Sequence, residues 1–187
     1  ACHKQLYYLC REFKRMMNER GDEQASTLFF RESLLHEMYF SEKPRLAELT
    51  VRYEALRCDI MQQYYMNKDY DNVIRIATSL DFHDDADPNA SCLVYYYKAQ
   101  AYVKLENYPM AKEAFFRELE LRKKYLGWEE EDTILACQNL GVLHSFCNER
   151  EEALACFREA YGHEVKKNGE DSEMAQKLLQ YISVVES

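Results

Sequence analysis

Apolar side chains recur every three to four residues along nearly the whole chain, and nowhere do they alternate as in a half-buried strand. This rhythm predicts helices at about 3–19, 23–40, 44–67, 70–80, 91–105, 108–126, 131–147, 149–167 and 172–186. The interruptions have local causes. Gly21 and Asp22 close the first helix, Ser41 marks a stop, and Pro44 sits in a first turn that tolerates it. The run DFHDDADPN (81–89) is a polar loop that caps a helix starting near Ser91. Gly127 and Gly169 follow lysine-rich helix ends, as C-terminal glycines do.

The pattern also repeats. Sliding NLGVLHSFCNEREEALACFREA (139–160) back by 42 residues sets Gly141 on Ala99, His144 on Tyr102, Ala153 on Ala111 and Phe157 on Phe115. Gly169 then falls on Gly127, and a step forward puts Gly141 over Ser183, so the last helix reads as the first half of a further unit. Two helices of a hairpin approach closely where small side chains face each other. Gly141 or Ala99 in the first helix is therefore expected to oppose Ala153 or Ala111 in the second, with large residues filling the space around them. Such a hairpin leaves apolar surface that only a stacked neighbour covers, so hairpins come in rows.

Residues 134–160 resemble the tetratricopeptide repeat, with Leu140-Gly141 in the first helix and Ala153, Phe157 and Ala160 in the second. Residues 92–119 follow the pattern through Ala99, Tyr102, Tyr108, Ala111 and Phe115, with Glu118 departing from the second small position. Residues 54–80 match more loosely through Met61, Tyr64, Tyr70, Val73 and Ala77. The usual repeat is about 34 residues, whereas the spacing here is 42. The eight extra residues, about two turns, lengthen the second helix and its exit loop. Long repeats of this kind are similar to those of kinesin light chains and of peptide-sensing bacterial regulators.

The resemblance implies an all-α fold, a right-handed superhelix of antiparallel hairpins with about nine helices. It divides a single domain, 1–187, into a helix pair of open register (1–42), hairpins at 43–90, 91–130 and 131–170, and a terminal helix at 171–187. It also implies a function: a non-enzymatic scaffold or adaptor that holds a peptide or protein segment in a concave groove. Two other readings stay open, namely the effector-sensing part of a peptide-responsive regulator and an assembly subunit that self-associates through its end faces.

In the resembled family the first helix of each hairpin holds the ligand. Carried over, those positions are Gln62 and Tyr65; Tyr96, Gln100 and Val103; Gln138, Asn139 and Val142; and Lys177, Gln180 and Val184. An amide side chain donates to and accepts from a peptide backbone at once. Asn139, just before Leu140-Gly141, matches an asparagine that family members use to grip ligand backbone. Lys177 is the one cation in the set, so the charged clamp of chaperone-binding relatives is not reproduced. Tyr95, Tyr96 and Tyr97 point in three directions around their helix, one to the groove and one to the core. Trp128 is read as a cap on its hairpin or as part of an edge contact.

Composition narrows the partners. A net charge of -9 disfavours direct nucleic-acid binding, and the densest basic run, Arg122-Lys123-Lys124, reads as a solvated helix end. Seven cysteines are scattered without a CxxC or zinc spacing, which points to a reducing, cytoplasmic setting and to cysteines used as small apolar residues. No stretch approaches the roughly 18 apolar residues of a membrane span, and no signal peptide is visible. The start at Ala-Cys reads as a processed or excised chain.

Candidate chemistry is sparse. His83, Asp84, Asp85 and Asp87 are the dense acidic cluster. The Asp85-Asp87-Asn89 spacing begins like a calcium loop, but Ala90 and Tyr96 stand where the required Gly and Glu should be. His144 and Cys147 lie one turn apart without a visible partner pair and read as packing residues. No GxSxG, HExxH, P-loop or GxGxxG motif occurs. Neither catalytic residues nor a cofactor or metal site are therefore expected.

Overall fold

The computed structural model describes residues 2–38, 41, 43–78 and 87–187. Among these residues there are nine helices and no strand: α1 (Cys2–Glu19), α2 (Glu23–Met38), α3 (Lys43–Met66), α4 (Tyr70–Thr78), α5 (Pro88–Lys104), α6 (Tyr108–Tyr125), α7 (Glu131–Phe146), α8 (Arg150–Asn168) and α9 (Glu173–Glu186). They form two compact units, Ala1–Ala90 and Ser91–Ser187. The chain is all-α, as the periodicity predicts. One start differs from the reading. Helix α5 begins at Pro88, inside the run taken as loop, because Asp87 Oδ1 accepts the Ala90 N–H at 3.0 Å and Pro88 needs no partner for its nitrogen. His83, Asp84 and Asp85 lie outside the described residues.

Each hairpin turns the same way. One residue takes a left-handed backbone (Gly21, φ 73; Lys68, φ 61; Glu106, φ 58; Asn148, φ 60). The next N–H then reaches back five residues, from Asp22 to Met17 O, Asp69 to Tyr64 O, Asn107 to Tyr102 O and Glu149 to His144 O, at 2.9–3.0 Å. This closure satisfies carbonyls that the end of the first helix leaves open. In three of the four hairpins the residue after the left-handed one caps the second helix. Asp22 accepts from Ala25 N (2.9 Å), Asp69 from Asn72 N (3.3 Å) and Asn107 from Met110 N (3.4 Å).

The turns fix a common register. Five residues past each left-handed residue stand Ser26, Val73, Ala111 and Ala153, all buried. Seven residues before it stand Lys14, Met61, Ala99 and Gly141, and nine after it Phe30, Ala77, Phe115 and Phe157. The α1–α2 pair, whose register the sequence left open, is therefore a hairpin of the same design. Its small position is filled by Lys14, whose Nζ lies 3.7 Å from the centre of the Phe30 ring.

In the last full hairpin the close approach differs from the expected one. A Cβ on Gly141 would stand 2.8 and 2.9 Å from Phe157 ring carbons and 3.0 Å from Cys156 Cβ, so the glycine makes room for an aromatic ring. Ala153 is fully buried in the same hairpin. Phe157 stacks on Tyr181 of α9, ring centres 5.2 Å apart, and so joins the terminal helix to the hairpin.

The two cores are built differently. In the first unit Leu34, Leu49 and Tyr53 pack together. The buried Arg31 donates through Nε and Nη2 to Tyr53 Oη at 3.0 and 2.7 Å. Arg57 Nη2 donates to the Ala77 carbonyl at 2.9 Å, in the last turn of α4, where a cation suits the exposed carbonyls. In the second unit the core is small and aliphatic: Ala99, Ala111, Ile134, Leu140, Leu143 and Ala160 around Phe115 and Phe157.

Candidate functional site

Two clefts open between α5 and α7 in the second unit, and Asn139 lines both. The first, about 230 Å³, is apolar: Val103, Tyr108, Phe115, Val142, Leu143 and Phe146 surround the amides of Gln100 and Asn139. The Tyr108 and Phe146 rings meet there, with centres 5.1 Å apart. The second, about 440 Å³, is polar. Tyr96, Glu118, Arg122, Asp132, Gln138, Asn139 and Lys177 line it, together with Leu93, Leu135 and Ala136.

The expected groove residues distribute as follows. Gln100, Val103, Asn139 and Val142 share the apolar cleft, and Tyr96, Gln138, Asn139 and Lys177 share the polar one. Tyr96 is half-buried and meets Phe115 edge-on, so of the tyrosine triplet it reaches both cleft and core. Gln138 is sunk, not displayed: it is 5% exposed, and its Oε1 has no hydrogen-bond donor. Lys177 is exposed, with Nζ 5.8 Å from the Tyr181 ring centre. Gln180 and Val184 are exposed on α9 outside both clefts. Gln62 and Tyr65 lie on α3 in the other unit, Gln62 exposed and Tyr65 half-buried against Tyr70.

Glu118, Arg122 and Asp132 complete the polar cleft and were not among the expected groove residues. Arg122 was expected as part of a solvated helix end; it is instead 5% exposed. Its Nε donates to Glu118 Oε1 at 2.8 Å and its Nη1 to Asp132 Oδ2 at 3.3 Å. The signal was present in the departure of Glu118 from the small position, four residues before an arginine. Burial pushes the Glu118 carboxyl up to about 7; the hydrogen bond and charge of Arg122 pull it down, and Asp132 adds to the rise.

Away from the clefts, Glu149 replaces the capping residue and makes no cap hydrogen bond. Its longer side chain turns away, accepting from Lys112 Nζ of α6 and lying 2.6 Å from His144 Nδ1 of α7. Those two hydrogen bonds, Lys112 first, hold the Glu149 carboxyl below its usual range. Neighbouring hairpins are tied further by Lys123 Nζ to Glu159 (3.2 Å) and Lys167 Nζ to the Glu129 carbonyl (2.6 Å). Among the described residues no group of three or more His, Cys, Asp and Glu is placed to hold a metal ion, and no helix is long and apolar enough to cross a membrane.

Trp128 lies flat on His163 of α8, with ring centres 4.0 Å apart and planes within 5°. Lys123 Nζ stands 5.0 Å from the indole on the same hairpin. Burial lowers the His163 pKa, and Lys166 and Lys123 lower it further against Glu159 and Glu129. Trp128 is the single tryptophan of the chain. Its emission is therefore expected to titrate with a midpoint below the ordinary histidine value of about 6.5. His163→Phe should abolish that titration; an unchanged curve would show that the stack does not form.

No protein-family model matches the sequence, and no curated protein matches it. The fold is similar to that of BtubC (BKLC) from P. vanneervenii, with a TM-score of 0.50 and 14% identity. The likeness covers 99% of this chain and 66% of that one, so this chain spans 66% of that protein's length. At this identity the likeness shows the fold alone, a tetratricopeptide-like helical repeat.

Proposed function

We propose that the chain is a non-enzymatic scaffold or adaptor that holds a peptide or protein segment against α5, α7 and α9. The observation that carries this reading is the meeting of an apolar and a polar cleft at one amide, Asn139. An extended segment needs apolar recesses for side chains and a paired donor and acceptor for its backbone. The apolar cleft supplies the first, and Asn139 and Gln100 supply the second. Calorimetric titration of a peptide library tests the reading. Asn139→Ala and Gln100→Ala are each expected to weaken the tightest binders by about tenfold, roughly 1.4 kcal/mol, the loss of one well-placed hydrogen bond. Affinities untouched by both substitutions would refute groove binding.

A further inference from the structure

Two buried acceptors in the polar cleft have no donor. Glu118 Oε2 and Gln138 Oε1 are sealed from solvent without a donor, on side chains of residues 2% and 5% exposed. The other Glu118 oxygen is taken by Arg122, and Arg122 is answered by two carboxylates, Glu118 and Asp132. No fully buried side-chain nitrogen lining this cleft is left without an acceptor among the described residues. A buried oxygen that has lost water and gained no donor is costly, and one ligand that brings donors removes the cost at both sites.

Charge at the mouth points the same way. Glu129, Glu130, Glu131 and Asp132 are exposed in succession at the start of α7, and Asp132 itself lines the cleft. Asp132 and the facing Lys177 are both exposed to solvent, so water screens the two alike. An ammonium brings three donors and a guanidinium five, and both are drawn by the acidic rim. The carboxylate of Glu118 and the amide of Gln138 turn about their last torsion, which is broad, to meet them.

We infer that the polar cleft receives the Lys or Arg side chain of a partner segment, while an apolar residue two positions away fills the neighbouring cleft. The inference rests on the groove reading. In an extended segment residues two apart share a face, which suits two clefts divided by the Asn139 amide.

The probes are capped pentapeptides carrying Leu and, two positions on, Arg, Lys, citrulline or Glu. They are titrated into the full chain while the side-chain amide signals of Gln138 and Asn139 are followed by NMR. The Arg and Lys peptides are expected to bind about tenfold tighter than the citrulline peptide, which has nearly the shape of Arg without its charge, and the Glu peptide weakest. Gln138→Met and Glu118→Gln should each reduce that advantage to about threefold or less. Gln138→Met leaves the Glu118–Arg122 pair in place, and an unchanged thermal melt separates its effect from unfolding. Equal binding of the Arg and citrulline peptides, or tightest binding of the Glu peptide, overturns the cationic subsite. If binding still falls with Asn139→Ala while ignoring charge, the groove stands and the subsite fails. If no peptide binds, or none responds to Asn139→Ala or to Gln100→Ala, both fail.

Discussion

Gly141→Leu is expected to lower the unfolding free energy by about 3 kcal/mol, the upper part of the range for overpacking a filled core. Even the first added carbon meets the Phe157 ring at 2.8 Å and Cys156 Cβ at 3.0 Å. The ring cannot swing away at low cost, because it is 1% exposed and stacked on Tyr181. Gly141→Ala makes the opposing forces visible. Alanine gains about 1 kcal/mol of helix propensity, yet the clash outweighs it, so a net loss of about 1 kcal/mol is expected. Phe157→Ala alone should cost about 3–5 kcal/mol by emptying the site. Combined with Gly141→Leu it should cost less than the sum, since the leucine occupies the space that the ring vacates. Denaturant melts of the four proteins check this. Strict additivity would mean that residues 141 and 157 do not meet.

Arg122→Met is expected to destabilise the protein more at pH 8 than at pH 5, by up to about 1.4 kcal/mol, one pH unit above the folded Glu118 value of about 7. The cause is the carboxyl it leaves behind. Glu118 titrates near 4.5 in an open chain and at about 7 when folded. Between those values the folded state binds the extra proton, so stability from this group is full below about 4.5, falls as pH rises and levels off above about 7. The whole fall is roughly 3 kcal/mol at about 1.4 kcal/mol per unit. Without Arg122 the folded value climbs further, because both influences that lower it are gone, and the fall deepens and extends above pH 7. Glu118→Gln in the Arg122→Met background should recover most of the loss at pH 8 and flatten the pH dependence. Urea melts at the two pH values decide the matter. An equal loss at both would show that Glu118 is not left as a buried charge.

The helices were legible because nearly every one carries an uninterrupted apolar rhythm and ends at a residue with a reason to end it. The α1–α2 hairpin was not, because its register is written in backbone geometry. Gly21, Lys68, Glu106 and Asn148 share one left-handed conformation and no chemistry. Lys14 occupies the position of Gly141 by lying over a ring, a substitution that a search for small residues passes over. In the clefts, Tyr96, Gln100 and Asn139 followed from the tetratricopeptide resemblance. Glu118 and Arg122 did not, because an acid and a base four apart look the same on a wet surface as in a buried pair. Gln138 and Asn139 are adjacent, and which of two neighbouring amides sinks depends on the roll of α7, which the packing of Ile134, Cys137 and Leu140 sets.

The bonds between neighbouring hairpins close short loops. Lys112 to Glu149 spans 37 residues, Lys123 to Glu159 spans 36, and Lys167 to Glu129 spans 38. The entropy of closing a loop grows only with the logarithm of its length, so these three bonds, all between α5–α6 and α7–α8, close their loops at nearly the same cost. A chain whose contacts are this local folds by adding pieces to a growing row, not by waiting for its two ends to find each other. Opening is graded in the same way. A terminal piece such as α9 can detach and redock while the hairpin beside it stays closed.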